Sequence, residues 1–128
     1  MLYMQLRSFV LPLLFALPLF AQAPLKTTDV LVMLTVKPGI TREQIAKVMP
    51  EEVRATVRLY LAGKIRQWYS RSDGKGVVFI MNSSDVAEAQ AVMEQLPLAK
   101  EKLADYEFTA MSPLAPLGAL LGNPPAAQ

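Results

Sequence analysis

The sequence predicts an α+β domain whose strands and helices follow the order βαββαβ. Two observations lead to this fold class. Apolar residues recur at strand spacing in some segments and at helix spacing in others, and glycines and prolines separate these segments. Residues 63–98 are the clearest part, because a helix end, a strand, a glycine-rich turn, a second strand and a second helix account for almost every residue.

The first strand is predicted at residues 29–37 and is apolar on both faces. Val30, Val32, Leu34 and Val36 share one face, and Leu31 and Met33 share the other. A strand of this kind belongs at the centre of a sheet that is covered on both sides.

A helix is predicted next, because Thr41 and Gln44 have the spacing of a capping box. Apolar residues then recur at Ile45, Met49, Val53, Val57 and Leu61. Pro50 lies inside this pattern and lacks a backbone N–H, so it must kink or divide the helix. Proline suits a first helical position and the two glutamates after it suit a first turn. We therefore expect a short helix and then a longer one that ends at Gly63.

Two strands joined by a turn are predicted after Gly63. The first, residues 64–70, mixes polar and aromatic side chains on both faces, which favours an edge position. In it, Ile65, Gln67 and Tyr69 alternate with Arg66 and Trp68. The turn at residues 72–76 is rich in glycine but too short to hold a phosphate. Residues 77–82 are predicted as a second central strand, because residues 77–81 are apolar throughout.

A second helix and a fourth strand complete the domain. The helix, residues 85–95, opens at Asp85 and stops before Pro97. Its predicted buried stripe is Val86, Ala89, Val92 or Met93, and Leu96. Residues 105–111 alternate apolar and polar side chains as a strand does. Two central and two mixed strands give the antiparallel order 4-1-3-2 with both helices on one face, which is the ferredoxin-like arrangement.

The other face of this sheet would be apolar and uncovered in a single chain. We therefore expect a second copy of the sheet to pack on it, in a homodimer or a larger assembly. The domain is predicted to span residues 24–117, followed by a flexible tail rich in proline, alanine and glycine at residues 118–128.

Residues 1–23 are predicted to be a signal peptide. Arg7 precedes an apolar stretch, and the Ala-Gln-Ala sequence that ends at Ala23 has the form of a cleavage site. Cleavage after Ala21 is the alternative, because Pro24 is a poor residue to follow a scissile bond. The apolar stretch is shorter than the roughly 20 residues that a membrane span needs. We expect an exported protein, periplasmic or secreted, that leaves the membrane after cleavage.

The composition excludes several functions. The chain has no cysteine and no histidine, which excludes disulfides, thiol chemistry, serine–histidine catalysis and ordinary zinc sites. Its formal net charge is only +2, and its basic residues are interspersed with acidic ones. We therefore expect no nucleic-acid partner.

The mature chain resembles the muconolactone isomerase-like branch of the dimeric α/β-barrel proteins, which are related in shape to the YCII-like proteins. The resemblance runs from about residue 30 to residue 117. It is carried by residues 35–37 (TVK), 63–69 (GKIRQWY), 76–79 (GVVF), 96–98 (LPL) and 105–108 (DYEF). It implies a dimer whose two sheets pack face to face, and proton transfer within an unsaturated lactone without a metal or organic cofactor.

The resemblance also implies candidate site residues. Glu52 falls where these isomerases have an acidic residue, Arg66 matches an arginine of their second strand, and Tyr69 falls where they have an aromatic residue. Gln67 stands where they have a histidine, and the YCII-like proteins are associated with a histidine–aspartate pair that this chain cannot form. The segment between residues 98 and 105 is also longer here.

Each candidate residue has an alternative role. Glu52 is a general base if a dry pocket raises its pKa, or a helix-start carboxylate in water. Arg66 holds a carboxylate or enolate oxygen, or pairs with a nearby acid. Trp68 and Tyr69 point to opposite faces, so at most one of them lines a given pocket, and Tyr60 contributes to the core or to a pocket rim.

Three functions are compatible with these residues. The first is a cofactor-free acid–base isomerase acting on a small apolar lactone or enol. The second is a non-catalytic exported dimer that binds a hydrophobic small molecule or a protein partner. The third is a monooxygenase, since some monooxygenases share this fold. Convergence of Glu52, Arg66 and one aromatic residue on a single cavity would favour an enzyme.

Overall fold

Seven elements follow one another along residues 26–114, the part of the chain that this computed structural model describes. They are β1 (Asp29–Val36), α1 (Arg42–Leu61), β2 (Ile65–Ser70), β3 (Gly76–Met81), α2 (Val86–Met93), α3 (Pro97–Lys100) and β4 (Ala104–Met111). The four strands form one antiparallel sheet in the order β2-β3-β1-β4, with the helices on one face. This confirms the predicted α+β, ferredoxin-like arrangement. The predicted signal peptide and tail lie outside the described residues.

The core lies between the sheet and the helices. Val32 on β1 is paired with Phe79 on β3 and Phe108 on β4, so these three side chains share the helix-facing side of the sheet. Helices α2 and α3 and the residues between them contribute Ala89, Met93, Leu96 and Leu98 to the same buried cluster. On the opposite face, Leu31, Met33, Val78 and Ile80 are only partly buried. The predicted division of β1 into two apolar faces is therefore confirmed.

Helix α1 is continuous, so the predicted division at Pro50 is wrong. The Thr41 side chain accepts the N–H of Gln44, and the Gln44 side chain accepts the N–H of Thr41, which is the predicted capping box. Pro50 lies inside the helix. Its ring removes one N–H donor, but the helical conformation continues through Leu61.

The inward face of α1 also differs from the predicted stripe. Val53, Val57 and Leu61 are 51%, 38% and 77% exposed. The residues that face the core are Ile45, Val48, Glu52, Ala55 and Leu59. Their spacing alternates between three and four residues, which follows one side of a helix with about 3.6 residues per turn. A charged residue, Glu52, thus lies in the middle of the buried stripe.

A β-bulge at the start of β2 changes which side chains face the helices. Ile65 is paired with Met81, whereas Gln67, two residues later, is paired with the adjacent Ile80, so Arg66 is the extra residue. The predicted strict alternation within β2 is therefore wrong. Trp68 is paired with Phe79 and lies on the helix-facing side, and Tyr69 lies on the opposite side.

The segment that was predicted only as a helix stop contains an additional helical turn, α3. Asp85 caps α2 by accepting the N–H of Ala87, as predicted, and α2 ends at Met93. Pro97 then begins α3, which leads into β4. No helix among residues 26–114 is long and apolar enough to cross a membrane.

Candidate functional site

An apolar cavity of about 190 Å³ lies between α1 and the β2–β3 edge of the sheet. Its walls include Met49, Val53, Val57, Trp68, Phe79 and Leu98. Its polar lining residues, within the described part of the chain, are Glu52, Thr56 and Ser70. An apolar cavity with a few polar groups is the usual form of a small-molecule site.

Glu52 combines a structural contact with access to this cavity. Glu52 is 5% exposed, and its Oε2 accepts a hydrogen bond from the backbone N–H of Leu98 at 2.9 Å. Leu98 lies in the first turn of α3, and the N-cap residue of this helix, Leu96, provides no side-chain hydrogen bond. Glu52 therefore satisfies a free N–H of α3 from a position 46 residues earlier in the chain and connects α1 to α3.

Burial changes the acid–base properties of this site. It raises the pKa of Glu52, and the hydrogen bond from Leu98, a smaller effect, lowers it. Burial also raises the pKa of Tyr106 on β4, and the negative charge of Glu52 raises it further. The Tyr106 hydroxyl is buried and has no hydrogen-bond partner among residues 26–114. Burial therefore favours the protonated form of Glu52, and Tyr106 keeps its proton.

The raised pKa of Glu52 predicts that stability falls as pH rises. Between the ordinary value near 4.5 and the raised value, the folded chain holds a proton that the unfolded chain has lost, so the free energy of unfolding decreases with pH. Below this window the contribution of Glu52 is fully present. Urea unfolding between pH 4 and 8 should show this decrease in the free energy of unfolding for the wild type. The decrease should be absent in Glu52→Gln. The control variant Glu51→Gln, at the exposed residue beside Glu52, should show the same decrease as the wild type. Parallel plots of the free energy of unfolding against pH for the wild type and Glu52→Gln would contradict a raised pKa of Glu52.

Arg66 does not line the Glu52 cavity. Its Nε lies 2.5 Å from Asp29 Oδ1, an ion contact without the linear geometry of a hydrogen bond, and its Nη2 donates to Asn82 Oδ1 at 2.7 Å. These contacts connect the β2 bulge to the start of β1 and the end of β3. The arrangement matches the alternative in which Arg66 pairs with a nearby acid.

The three aromatic candidates lie in different places. Trp68 lines the cavity, and Tyr60 packs edge-on against it with ring centroids 4.6 Å apart. Tyr69 lies on the other side of β2, where its hydroxyl donates to Gln67 Oε1 at 2.9 Å. All three also border a shallow surface depression together with Arg66. The structure thus brings Glu52 and Trp68 together in one cavity. It places Arg66 outside this cavity, at the surface depression that Tyr60 and Tyr69 also border.

Sequence reasoning missed Thr56, Ser70 and Tyr106 as neighbours of the site. Thr56 Oγ donates to the backbone oxygen of Glu52 at 2.8 Å, one turn earlier in α1. Ser70 lies on the same side of β2 as Trp68, two residues earlier, and the bulge turns this side toward the helices and the cavity. A signal for the site was present in the sequence, since Glu52 interrupts a stripe of apolar residues spaced three and four apart.

No protein-family model matches this chain, and no curated protein is significantly similar to it.

Proposed function

We propose that this protein binds a small, mainly apolar molecule in the Glu52 cavity. The observation that carries this proposal is a buried carboxyl group at an apolar cavity. Burying an ionisable group is unfavourable unless its hydrogen bonds are satisfied, and the contact with Leu98 uses only part of the acceptor capacity of a carboxylate. A ligand with one polar group would satisfy the rest. Engineered cavities of about 150 Å³ bind benzene, so this volume suits one ring with a short substituent.

A blocking substitution tests this proposal. Val57 lines the cavity and is partly exposed, so Val57→Phe should fill the cavity with little effect on folding. We expect at least a tenfold loss of affinity for 2-phenylethanol. The fluorescence of Trp68, the single tryptophan of the chain, reports binding because its ring lines the cavity. Leu61→Phe, one turn further along α1 and fully outside the cavity, is the matched control. Equal binding by both variants and wild type would contradict the proposal.

A second candidate is a cofactor-free acid–base isomerase that acts on a small lactone or enol. A carboxylate whose pKa is raised by burial favours this function, because it is a stronger base near neutral pH than one in water. The resemblance to the muconolactone isomerase-like family supports it further. In this candidate function Glu52 transfers the proton. Arg66 binds no carboxylate or enolate oxygen of the substrate, because it lies outside the cavity.

We also propose that the protein is an exported homodimer. The partly buried apolar side chains of the open sheet face support dimerisation, since Leu31, Met33, Val78 and Ile80 would gain cover from a second sheet. Export is supported by the signal-like sequence of residues 1–23. The intact mass of protein recovered from the periplasm or medium tests it, and a full-length membrane-bound product would contradict it.

A further inference from the structure

Resting on the proposed binding function, we infer that the preferred ligand of the Glu52 cavity is a primary amine on a small apolar body. Its ammonium group would pair with the Glu52 carboxylate while the apolar body contacts the side chains of Trp68 and Phe79. The inference follows from the charges at the cavity and from the donors and acceptors that line it.

Glu52 is the one ionisable side chain among the described residues that line the cavity. No Lys or Arg is among these lining residues, and on α1 and β2 Arg54 pairs with Glu51 and Arg66 pairs with Asp29. An anionic ligand would therefore lose its hydration in the cavity without gaining a cationic partner there. It would also be repelled by the Glu52 carboxylate. A cationic ligand would gain the partner that an anionic ligand lacks.

The polar lining also matches an ammonium group, which has three donors and no acceptor. Glu52 retains acceptor capacity beside its contact with Leu98. The Thr56 hydroxyl uses its proton in the bond to the Glu52 backbone, so its oxygen remains an acceptor, and the Ser70 hydroxyl is a third acceptor. An alcohol has only one donor for these groups. The indole of Trp68 would add cation–π attraction if the ammonium lies within about 6 Å of the ring.

Amine binding should be coupled to ionisation of Glu52. The Leu98 backbone N–H of α3 contacts its carboxyl, and among ionisable side chains Tyr106 of β4, which keeps its proton, interacts with it electrostatically. Burial favours a protonated Glu52 in the empty cavity. An ammonium favours the carboxylate, so binding should release a proton and become tighter as pH rises through the raised pKa of Glu52.

The test compares 2-phenylethylamine, 2-phenylethanol and phenylacetate, which share an aromatic ring and differ in charge. Trp68 fluorescence and calorimetry at pH 7.5 should show the amine bound at least tenfold more tightly than the alcohol, and phenylacetate at least tenfold more weakly than the alcohol. In Glu52→Gln the preference for the amine should disappear while the alcohol still binds. Glu51→Gln should behave as the wild type does.

The outcomes separate this inference from the proposed function. Equal binding of amine and alcohol, or tighter binding of phenylacetate, would overturn the amine preference and leave the binding function intact. Failure of all three probes to bind would overturn both. If Glu52→Gln does not fold, wild-type calorimetry in two buffers of different ionisation enthalpy decides, across the pH window in which urea unfolding shows Glu52 to titrate. Binding heats that differ between the two buffers for the amine, and not for the alcohol or phenylacetate, support proton release from Glu52. Amine binding heats that are identical in the two buffers overturn the proton release.

Discussion

The substitution Phe79→Asp should prevent folding, whereas Val78→Asp, at the adjacent position, should leave the chain folded. Phe79 is 2% exposed in the core. Its replacement removes packing worth about 3–5 kcal/mol and places an unpaired carboxylate where burial costs several kcal/mol more. That sum is comparable with the whole stability of a small domain, about 5–15 kcal/mol. Circular dichroism should show an unfolded Phe79→Asp variant at 25 °C.

Val78 lies on the open face, between Met33 on β1 and Tyr69 on β2. Water can solvate an aspartate there in a single chain, but a second sheet packed on this face would bury it. We therefore expect Val78→Asp to keep its circular dichroism spectrum and to change from dimer to monomer in light scattering. A wild-type chain that is a monomer at micromolar concentration would contradict the dimer, and a stably folded Phe79→Asp would contradict the assignment of the core face.

For the isomerase candidate, Glu52→Gln should lower turnover of a lactone or enol substrate by about a hundredfold or more, the usual contribution of a general base. Glutamine retains an oxygen that can accept the N–H of Leu98, so the contact between α1 and α3 should survive. The loss should therefore fall on kcat more than on folding or binding. Incorporation of solvent deuterium into the substrate, followed by NMR, measures the proton transfer directly.

The exposed neighbour Glu51 provides the matched control, since Glu51→Gln removes a charge from α1 without touching the cavity. It should leave turnover unchanged. Normal turnover by Glu52→Gln would exclude Glu52 as the base and leave the binding function as the better assignment.

The sheet could be predicted from the sequence because its signals are local and redundant. β1 and β3 are apolar on both faces, β2 is mixed, and these patterns alone placed two strands at the centre and one at an edge. The capping residues Thr41 and Asp85 placed the helix starts correctly. Each of these inferences depends on a few neighbouring residues and on no distant contact.

The inward face of α1 could not be predicted in this way. A step of four residues turns about 400° around a helix of 3.6 residues per turn, so a stripe built only from such steps drifts by about 40° each time. From Ile45 to Leu61 the drift adds up to about 160°, which carries Leu61 to the solvent side. Because every position of the predicted stripe holds an apolar residue, the sequence showed no sign of this drift. The charge of Glu52 favoured an exposed position for that residue.

The candidate site depends on contacts between distant parts of the chain. Glu52 is buried because α3 offers it an N–H from Leu98, and α3 itself was not expected. Arg66 instead contacts Asp29 at the start of β1 and Asn82, the residue after β3, both distant from it in sequence. The family resemblance suggested Glu52 and Arg66 as residues of one site, but only the fold shows that each has a different partner.

The extra residue in β2 has a consequence for aligning this chain with any relative whose second strand is regular. Without the bulge, the side of the strand that carries Ile65 would carry Tyr69 rather than Trp68. An ungapped alignment would then match Tyr69 with an aromatic residue that faces the helices. A one-residue gap opposite Arg66 restores the facing of the side chains, so helix-facing residues of such a strand are to be compared with Trp68 and Ser70 rather than with Gln67 and Tyr69.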